Sequence, residues 1–185
     1  MTEYRSVKSS QIVLKELMIP SYSNFGGKVH GGIILSLMDK IAYTAAASHS
    51  RSYCVTASVD SVNFLNPVEV GELVTLLASV NYVGRSSMEV GIKVFSEDFK
   101  KGVNKHTNTS YFTMVAVDEH TRKPAPVPGL ILEEEIEVKR FIWGKFRKKY
   151  RGEYKEQFKT LRRNLDIACE TALLHEENCK IATGK

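Results

Sequence analysis

The segment NFGGKVHGGIILSLMD, residues 24–39, places a glycine-rich loop directly before an apolar helix that carries one acid, Asp39. An acid in such a helix costs free energy unless another group pairs with it or the chemistry uses it. Gly32 and Asp39 are seven residues apart, so they share one face of the helix, about two turns apart. Gly31 and Gly32 would expose backbone N–H groups at the helix N-terminus, which attracts a substrate oxygen. The segment therefore predicts an oxyanion site, with Asp39 as a base or nucleophile.

The residues around this segment change their periodicity in a way that predicts a fold class. Alternation and β-branched residues predict strands at residues 12–18, 53–60, 73–83, 88–95 and 107–117. Residues 32–48 predict a helix with very little polar face, which we expect to be buried. One strand, one buried helix and then four strands predict an α+β fold, in which a curved antiparallel sheet wraps around a central helix.

The glycine-rich segment resembles the motif of the hotdog-fold acyl-CoA thioesterases of the acyl-CoA hydrolase group. That motif reads Asn-x-x-Gly, then x-x-x-Gly-Gly, then an Asp seven residues later, and its matches here are Asn24, Gly27, Gly31, Gly32 and Asp39. Residues 55–60, 64–72, 84–88 and 111–118 also resemble family segments, in the family's order. The resemblance covers residues 11–128 and implies the hotdog fold and hydrolysis of fatty acyl-CoA to a free acid and CoA.

The resemblance implies roles for the residues of the motif. Asn24 would hold the attacking water or the thioester carbonyl, although an Asn in a loop can equally form a turn or cap a helix. Backbone N–H groups of Gly31 and Gly32 would hold the developing oxyanion. Asp39 would act as general base on water or as a nucleophile, and the residues leave these two mechanisms open.

The resemblance also implies residues that bind the substrate. His30 would shape the pocket, and Arg85, Ser86 and Ser87 would lie near the phosphates or pantetheine of CoA. A plain surface turn is the competing interpretation of residues 85–87. No organic cofactor and no metal are expected, because a thioester is already an activated acyl group and the histidines lack metal-ligand spacing.

The motif occurs once in this chain, whereas family members with tandem domains carry two copies. If the family geometry holds, a second chain must complete the site. The resemblance therefore implies a dimer as the minimal unit and a homohexamer, arranged as a trimer of dimers.

Length and composition are ordinary for a globular protein. The chain has 185 residues, of which 43% are hydrophobic and 25% charged, which suits one domain with a tail. Its three cysteines include no Cys-x-x-Cys pair, so neither a disulfide framework nor a zinc site is expected. No window approaches the ~20 apolar residues of a membrane span, and no leader segment is evident, so we expect a cytoplasmic protein.

Residues 133–180 differ from the hotdog segment, which we place at 8–128. Apolar positions step by three and four, which predicts one or two amphipathic helices docking on a neighbouring surface. These positions are Ile142, Phe146, Tyr150, Tyr154, Phe158, Leu161, Leu165 and Ala168. Gly144 and Gly152 argue against one continuous helix. The basic residues invite a nucleic-acid interpretation, but interspersed glutamates and the absence of a known motif make attraction of CoA the better use of the charge.

Two other functions fit part of the pattern. A noncatalytic hotdog module could bind acyl-CoA as a regulatory signal, but it would have no use for a buried base at Asp39. A dehydratase on the same fold would need a His with an acid, and His30 is its candidate. Turnover of a thioester, compared with a 2-enoyl or 3-hydroxyacyl substrate, separates these functions.

Overall fold

A computed structural model describes residues 3–182. Apolar residues alternate with polar ones along its main strands, as expected for a sheet with one buried face. The elements are β1 Tyr4–Ser6, β2 Ile12–Leu17, α1 Gly31–Ser50, β3 Tyr53–Val59, β4 Leu73–Val83, β5 Ser87–Asp98, β6 Val103–Val117, β7 Gly129–Ile131, α2 Glu135–Arg163 and α3 Ile167–Leu173. Single 3-10 turns lie at Val7–Ser10, Pro20–Tyr22 and Leu174–Glu176.

The main sheet has five strands in the order β2-β4-β5-β6-β3, and every neighbouring pair is antiparallel. Irregularities interrupt the register of β4 at Asn81, of β6 at Thr107 and of β3 at Ala57. Such bulges increase the local twist of a strand, so the long strands can curve around α1. The predicted α+β hotdog architecture is confirmed.

Helix α1 packs on the sheet through one side only. Its buried residues recur at helical spacing, and they are Ile34, Leu37, Met38, Ile41, Ala42, Ala45, Ala46, His49 and Ser50. Leu35, Asp39, Lys40 and Tyr43 face outward. The expectation that α1 is buried is therefore wrong for the single chain, because the sheet covers only the side that carries these buried residues.

The C-terminal end of α1 is tied to two segments that the periodicity did not reveal. Strands β1 and β7 pair in parallel as a separate two-stranded sheet. Arg5 of β1 donates to the backbone oxygen of His49 at 2.6 Å, and the His49 Nε2 lies 3.0 Å from the Pro128 oxygen. Burial lowers the pKa of His49, opposed by the bond to Pro128. His49 is fully buried and its Nδ1 has no partner among the described residues, which disfavours a second ring proton.

Helix α2 continues through both of its glycines, contrary to the expectation of a break. A Cβ at Gly144 would lie 2.6 Å from the Tyr82 Cβ and 2.9 Å from Oε1 of Glu89, so a side chain does not fit. Phe141, three residues earlier, packs against Tyr82 with ring centroids 5.0 Å apart and planes inclined by 50°. At Gly152 nothing lies within 4 Å of an added Cβ. Gly144 therefore permits close packing of α2, while Gly152 has no such role.

The chain divides into two compact units, Met1–Gly144 and Lys145–Lys185. The boundary falls inside α2, later than the 128/133 division expected from the sequence. Among residues 3–182, no helix is both long enough and apolar enough to cross a lipid bilayer.

Candidate active site

A cleft of about 550 Å³ opens between α1 and β3, on the side of the helix that the sheet leaves uncovered. Its lining residues are Asp39, Lys40, Tyr43, Thr44, Tyr53, Cys54, Val55 and Thr56. The rings of Tyr43 and Tyr53, both in this lining, lie 6.2 Å apart. The cleft thus combines one carboxylate with apolar and aromatic side chains, as small-molecule sites usually do.

The carboxylate of Asp39 is held by a residue from the neighbouring strand. Thr56 Oγ1 donates a hydrogen bond to Asp39 Oδ1 at 2.6 Å. A bond to an ionised acceptor at this distance is stronger than a neutral one, so it outweighs the contact of the same hydroxyl with Met114 Sδ at 3.4 Å. No hydrogen bond to Asp39 Oδ2 is recorded from residues 3–182. One oxygen is therefore oriented and the other is available to a ligand or water.

Asp39 lies on the exposed half of α1, so it is not a buried acid in the single chain. The sequence predicts a buried helix, whereas the sheet covers only the opposite side of α1. An exposed acid does not by itself separate an enzyme from a noncatalytic acyl-CoA binder, and what distinguishes Asp39 is its bond to Thr56 in the cleft.

The side chain of His30 caps the N-terminus of α1 and accepts a hydrogen bond from the Gly32 N–H. The Gly32 N–H donates to His30 Nδ1 at 2.8 Å, which satisfies one of the free donors of the helix N-terminus. An added Cβ at Gly32 would lie 2.8 Å from the same nitrogen, so the cap needs a glycine. The Gly32 N–H is therefore already bonded to a side chain of its own chain.

Gly31 has a different environment. No hydrogen bond from its N–H is recorded within residues 3–182, as is usual for the first residue of a helix. An added Cβ would lie 3.3 Å from the ring of Phe64, a half-exposed residue of the β3–β4 connection. Gly31 therefore presents an available donor beside an aromatic ring, and the sequence did not single out Phe64.

Asn24 organises its own loop. Its Oδ1 accepts from the N–H groups of Gly26 at 2.9 Å and Lys28 at 3.1 Å. Gly27 has a φ of 75°, which a residue with a side chain rarely adopts. The described residues show no contact between Asn24 and Asp39. This single chain thus holds the loop through the Asn24 oxygen and leaves the Nδ2 group for another partner.

Arg85 and Ser86 lie in the turn that joins β4 to β5, and Ser87 is the first residue of β5. Backbone N–H groups of β6 and of the segment after it donate to the carbonyl oxygens of Ser86 and Arg85, each at 3.0 Å. Ser87 is paired with Val115 on β6, which is paired with Val55 on β3. Two strand spacings, about 10 Å, therefore separate Ser87 from the strand that lines the cleft. The exposed Arg85 side chain lies at the same end of the sheet as the cleft.

Strand β3 forms an edge of the sheet. Within the described part of the chain, β6 is its only partner, and Tyr53, Val55 and Val59 are 39%, 36% and 44% exposed. An edge with exposed apolar side chains is a template for pairing with another strand. Thr56 belongs to this strand, so an interface at the edge would lie beside the Asp39–Thr56 pair.

Thr56 is the functional candidate that sequence reasoning did not assign. Its segment, residues 55–60, was recognised as similar to the family, but a hydroxyl on a strand carries no positional signal of its own. Residues 3–182 contain no group of three or more His, Cys, Asp or Glu placed to hold a metal ion.

Residues 26–103 match the model of the thioesterase superfamily. Protein VdlD of Helicobacter pylori is 44% identical over 142 residues, covering 77% of this chain and 80% of that protein. YkhA of Bacillus subtilis, described as an uncharacterised acyl-CoA thioester hydrolase, is 40% identical, covering 74% of this chain and 78% of that protein. The chain belongs to the acyl-CoA thioester hydrolases. The cytosolic acyl coenzyme A thioester hydrolase of Rattus norvegicus is 36% identical over 78% of this chain, which spans only 38% of that longer protein.

Solved structures of acyl-CoA thioester hydrolases share the fold. A hexameric acyl-CoA thioesterase in its apo form superposes with a TM-score of 0.79 at 36% identity, covering 83% of this chain and 97% of that chain. An acyl-CoA hydrolase from Staphylococcus aureus, in complex with butyryl coenzyme A, coenzyme A and coenzyme A disulfide, gives 0.74 at 31% identity, covering 86% and 99%. Structures of this hydrolase with an asparagine, an aspartate or a threonine replaced by alanine also match, at 29–30% identity.

Proposed function

We propose that this chain hydrolyses fatty acyl-CoA to a free fatty acid and CoA at the cleft between α1 and β3. The observation that carries the proposal is the Asp39 carboxylate, oriented by Thr56 at 2.6 Å within a cleft that also has aromatic and apolar side chains in its lining. Tyr43, Tyr53 and Val55 supply apolar surface for an acyl chain. Family membership supports the reaction class, and the geometry of the cleft supports the choice of residues.

Asp39 acts as the general base in this proposal. Its unbonded oxygen takes a proton from water as the water oxygen attacks the thioester carbon, and the carbon–sulfur bond then breaks. The proton passes to the departing CoA sulfur, so the products are a carboxylic acid and a thiol. Direct attack by Asp39, giving an anhydride that water then opens, uses the same oxygen. The bond from Thr56 serves either mechanism, because it holds the carboxylate in one orientation.

The developing oxyanion requires a donor, and the Gly31 N–H is the one that we assign first. It is available at the N-terminus of α1, where the helix dipole adds partial positive charge. Gly32 contributes by admitting the His30 cap, since its own N–H is bonded to the His30 ring. His30 thereby shapes the rim of the site through its position at the helix terminus.

The distance along α1 supports a site shared between two chains. Eight residues separate Gly31 from Asp39, which is about 12 Å along the helix axis. Reacting groups must approach within about 3–3.5 Å, so one chain would need its carboxylate, the water and the thioester in a nearly straight line. A second chain, docked at the exposed β3 edge, can bring its own α1 N-terminus and Asn24 loop towards this Asp39.

The Asn24 assignment draws support from the hydrolase of Staphylococcus aureus. In that protein the replaced aspartate lies 15 residues after the replaced asparagine, and the threonine lies 17 residues after the aspartate. Asn24, Asp39 and Thr56 have the same two spacings here. We therefore assign the Asn24 Nδ2 group to the attacking water or the thioester carbonyl.

The remaining assignments concern the CoA moiety and the assembly. Arg85, Ser86 and Ser87 bind the phosphates or pantetheine, because their turn lies at the cleft end of the sheet and carries a cation. The chains form dimers through β3, and three dimers form a hexamer, in line with the hexameric thioesterase of the same fold. The enzyme needs no metal or organic cofactor. It works in the cytoplasm, in line with the name of the rat relative, which describes that protein as cytosolic.

Replacement of Asp39 by Asn tests the function. Release of CoA thiol from a series of acyl-CoAs, from acetyl to palmitoyl, should fall about 10²–10⁴-fold at every chain length. The fold should be unchanged, since Asp39 is exposed and Asn is nearly isosteric. Wild-type turnover in the folded variant would reject Asp39 as the base. Tight binding of acyl-CoA by the wild-type protein without any turnover would instead show a noncatalytic acyl-CoA-binding regulator.

A further inference from the structure

The positive charge of this protein is concentrated in one part of α2. Residues 145–163 contain nine Lys or Arg and two Glu, a net charge of +7, whereas the whole chain carries +5. The remainder of the chain therefore carries −2. Such a local excess favours an anionic partner.

The same residues carry an exposed apolar face, here named the aromatic stripe: Tyr150, Tyr154, Phe158 and Leu161. At about 100° per residue, these four side chains fall within an arc of about 80° around the helix. They are 62%, 66%, 45% and 66% exposed. Lys155, Lys159 and Arg162 follow on one side of the stripe, so the helix presents an apolar face flanked by cations.

Two contacts within the helix join side chains of the stripe and of its basic flank. The rings of Tyr154 and Phe158 stack with centroids 5.9 Å apart and planes inclined by 20°. The guanidinium of Arg162 lies 5.3 Å from the centroid of the Phe158 ring. The aromatic and cationic groups thus form a continuous surface along the helix.

We propose that the aromatic stripe and its basic flank dock α2 onto the surface of an anionic lipid bilayer, parallel to the membrane plane. The positive charge favours an anionic partner, and the aromatic stripe favours a partner that can bury apolar rings. The interface of an anionic bilayer provides both interactions, since tyrosine rings suit the headgroup level and cations bind acidic lipids. A second copy of the helix could bury the apolar rings, but it is not an anionic partner, because two segments of net +7 repel each other. The proposal concerns a surface outside the catalytic cleft and stands whether or not Asp39 is the base.

Flotation of the full chain with lipid vesicles tests the proposal. The protein should float with phosphatidylcholine vesicles that contain about 30% phosphatidylglycerol, and not with phosphatidylcholine alone. Lys155→Gln with Lys159→Gln should lower the partition coefficient about 25-fold, at about fivefold for each cation removed. Tyr154→Ala with Phe158→Ala should also abolish flotation, while circular dichroism shows an intact helix.

Matched variants in the other unit serve as controls. Lys100→Gln with Lys123→Gln removes the same charge, and Phe99→Ala removes an exposed ring, so both should float as the wild type does. The proposal is wrong if no flotation occurs, or if the two tail variants still float normally. Binding of a 20-base-pair DNA duplex without vesicle binding would assign the surface to nucleic acid. Dissociation of an oligomer by the alanine pair, with vesicle binding unchanged, would assign it to contacts between copies.

Discussion

The bond between Thr56 and Asp39 makes the strongest quantitative prediction. Thr56→Val removes the hydroxyl donor and keeps the shape and β-branching of the side chain, so strand β3 should be undisturbed. Thr56→Ser keeps the hydroxyl. The pair of variants therefore separates loss of the hydrogen bond from loss of a methyl group.

The size of the effect follows from the chemistry of the bond. A hydrogen bond to a charged group contributes about 1.5–3 kcal/mol, and the 2.6 Å distance places this bond among the stronger ones. If its whole value is used to orient the carboxylate in the transition state, kcat/KM for acyl-CoA should fall about 10- to 150-fold in Thr56→Val. Thr56→Ser should lose much less. Because Thr56 is exposed, the free energy of unfolding should change by no more than about 0.5 kcal/mol in either variant.

The assay follows release of the CoA thiol under steady-state conditions, with thermal unfolding as the measure of stability. Thr75→Val on β4 is the matched control, since the same isosteric change occurs on a strand distant from Asp39. Equal kcat/KM in wild type and Thr56→Val would refute the role of Thr56 in orienting the base. An equally large loss in Thr75→Val would show that the change acts through the sheet as a whole.

Three further predictions concern assembly, packing and pH. Mixing inactive Asn24→Ala and Asp39→Ala chains should restore about a quarter of wild-type activity after subunit exchange. Half of random dimers are mixed, and each mixed dimer has one intact site out of two. If mass spectrometry confirms exchange and no activity returns, the site is not shared between chains. Gly144→Ala should lower the melting temperature because its Cβ meets the sheet, whereas Gly152→Ala should raise the helical circular dichroism signal. Since burial lowers the pKa of His49, the unfolded state binds its proton more readily, and stability should fall as the pH drops below about 6.5. His49→Asn should flatten this dependence in thermal unfolding between pH 8 and pH 5, and an unchanged slope would assign the acid sensitivity to other groups.

Several features of the fold could be predicted from the sequence because they depend on neighbours along the chain. The alternation of residues 73–83 matches β4 residue for residue, and the apolar run after Gly31 matches α1. Strands β1 and β7 were missed, since three residues are too few to show a period and their pairing joins residues more than 120 positions apart. The helix break expected at Gly144 does not occur, for a related reason. The low helix propensity of glycine is a local property, whereas the close approach of Gly144 to Tyr82 depends on tertiary packing.

The candidate site shows the same division more sharply. The sequence by itself determined which residue types are present in the glycine-rich loop and that Asp39 follows Gly32 by two helical turns. Only the tertiary structure decided that Asp39 lies on the uncovered side of α1 and that Thr56, from a separate strand, binds its carboxylate. It also decided that the Gly32 N–H is taken by His30 while the Gly31 N–H is not. Helical and strand periods specify which residues share a face, but which face the sheet covers, and which side chains then meet, depends on how distant segments pack.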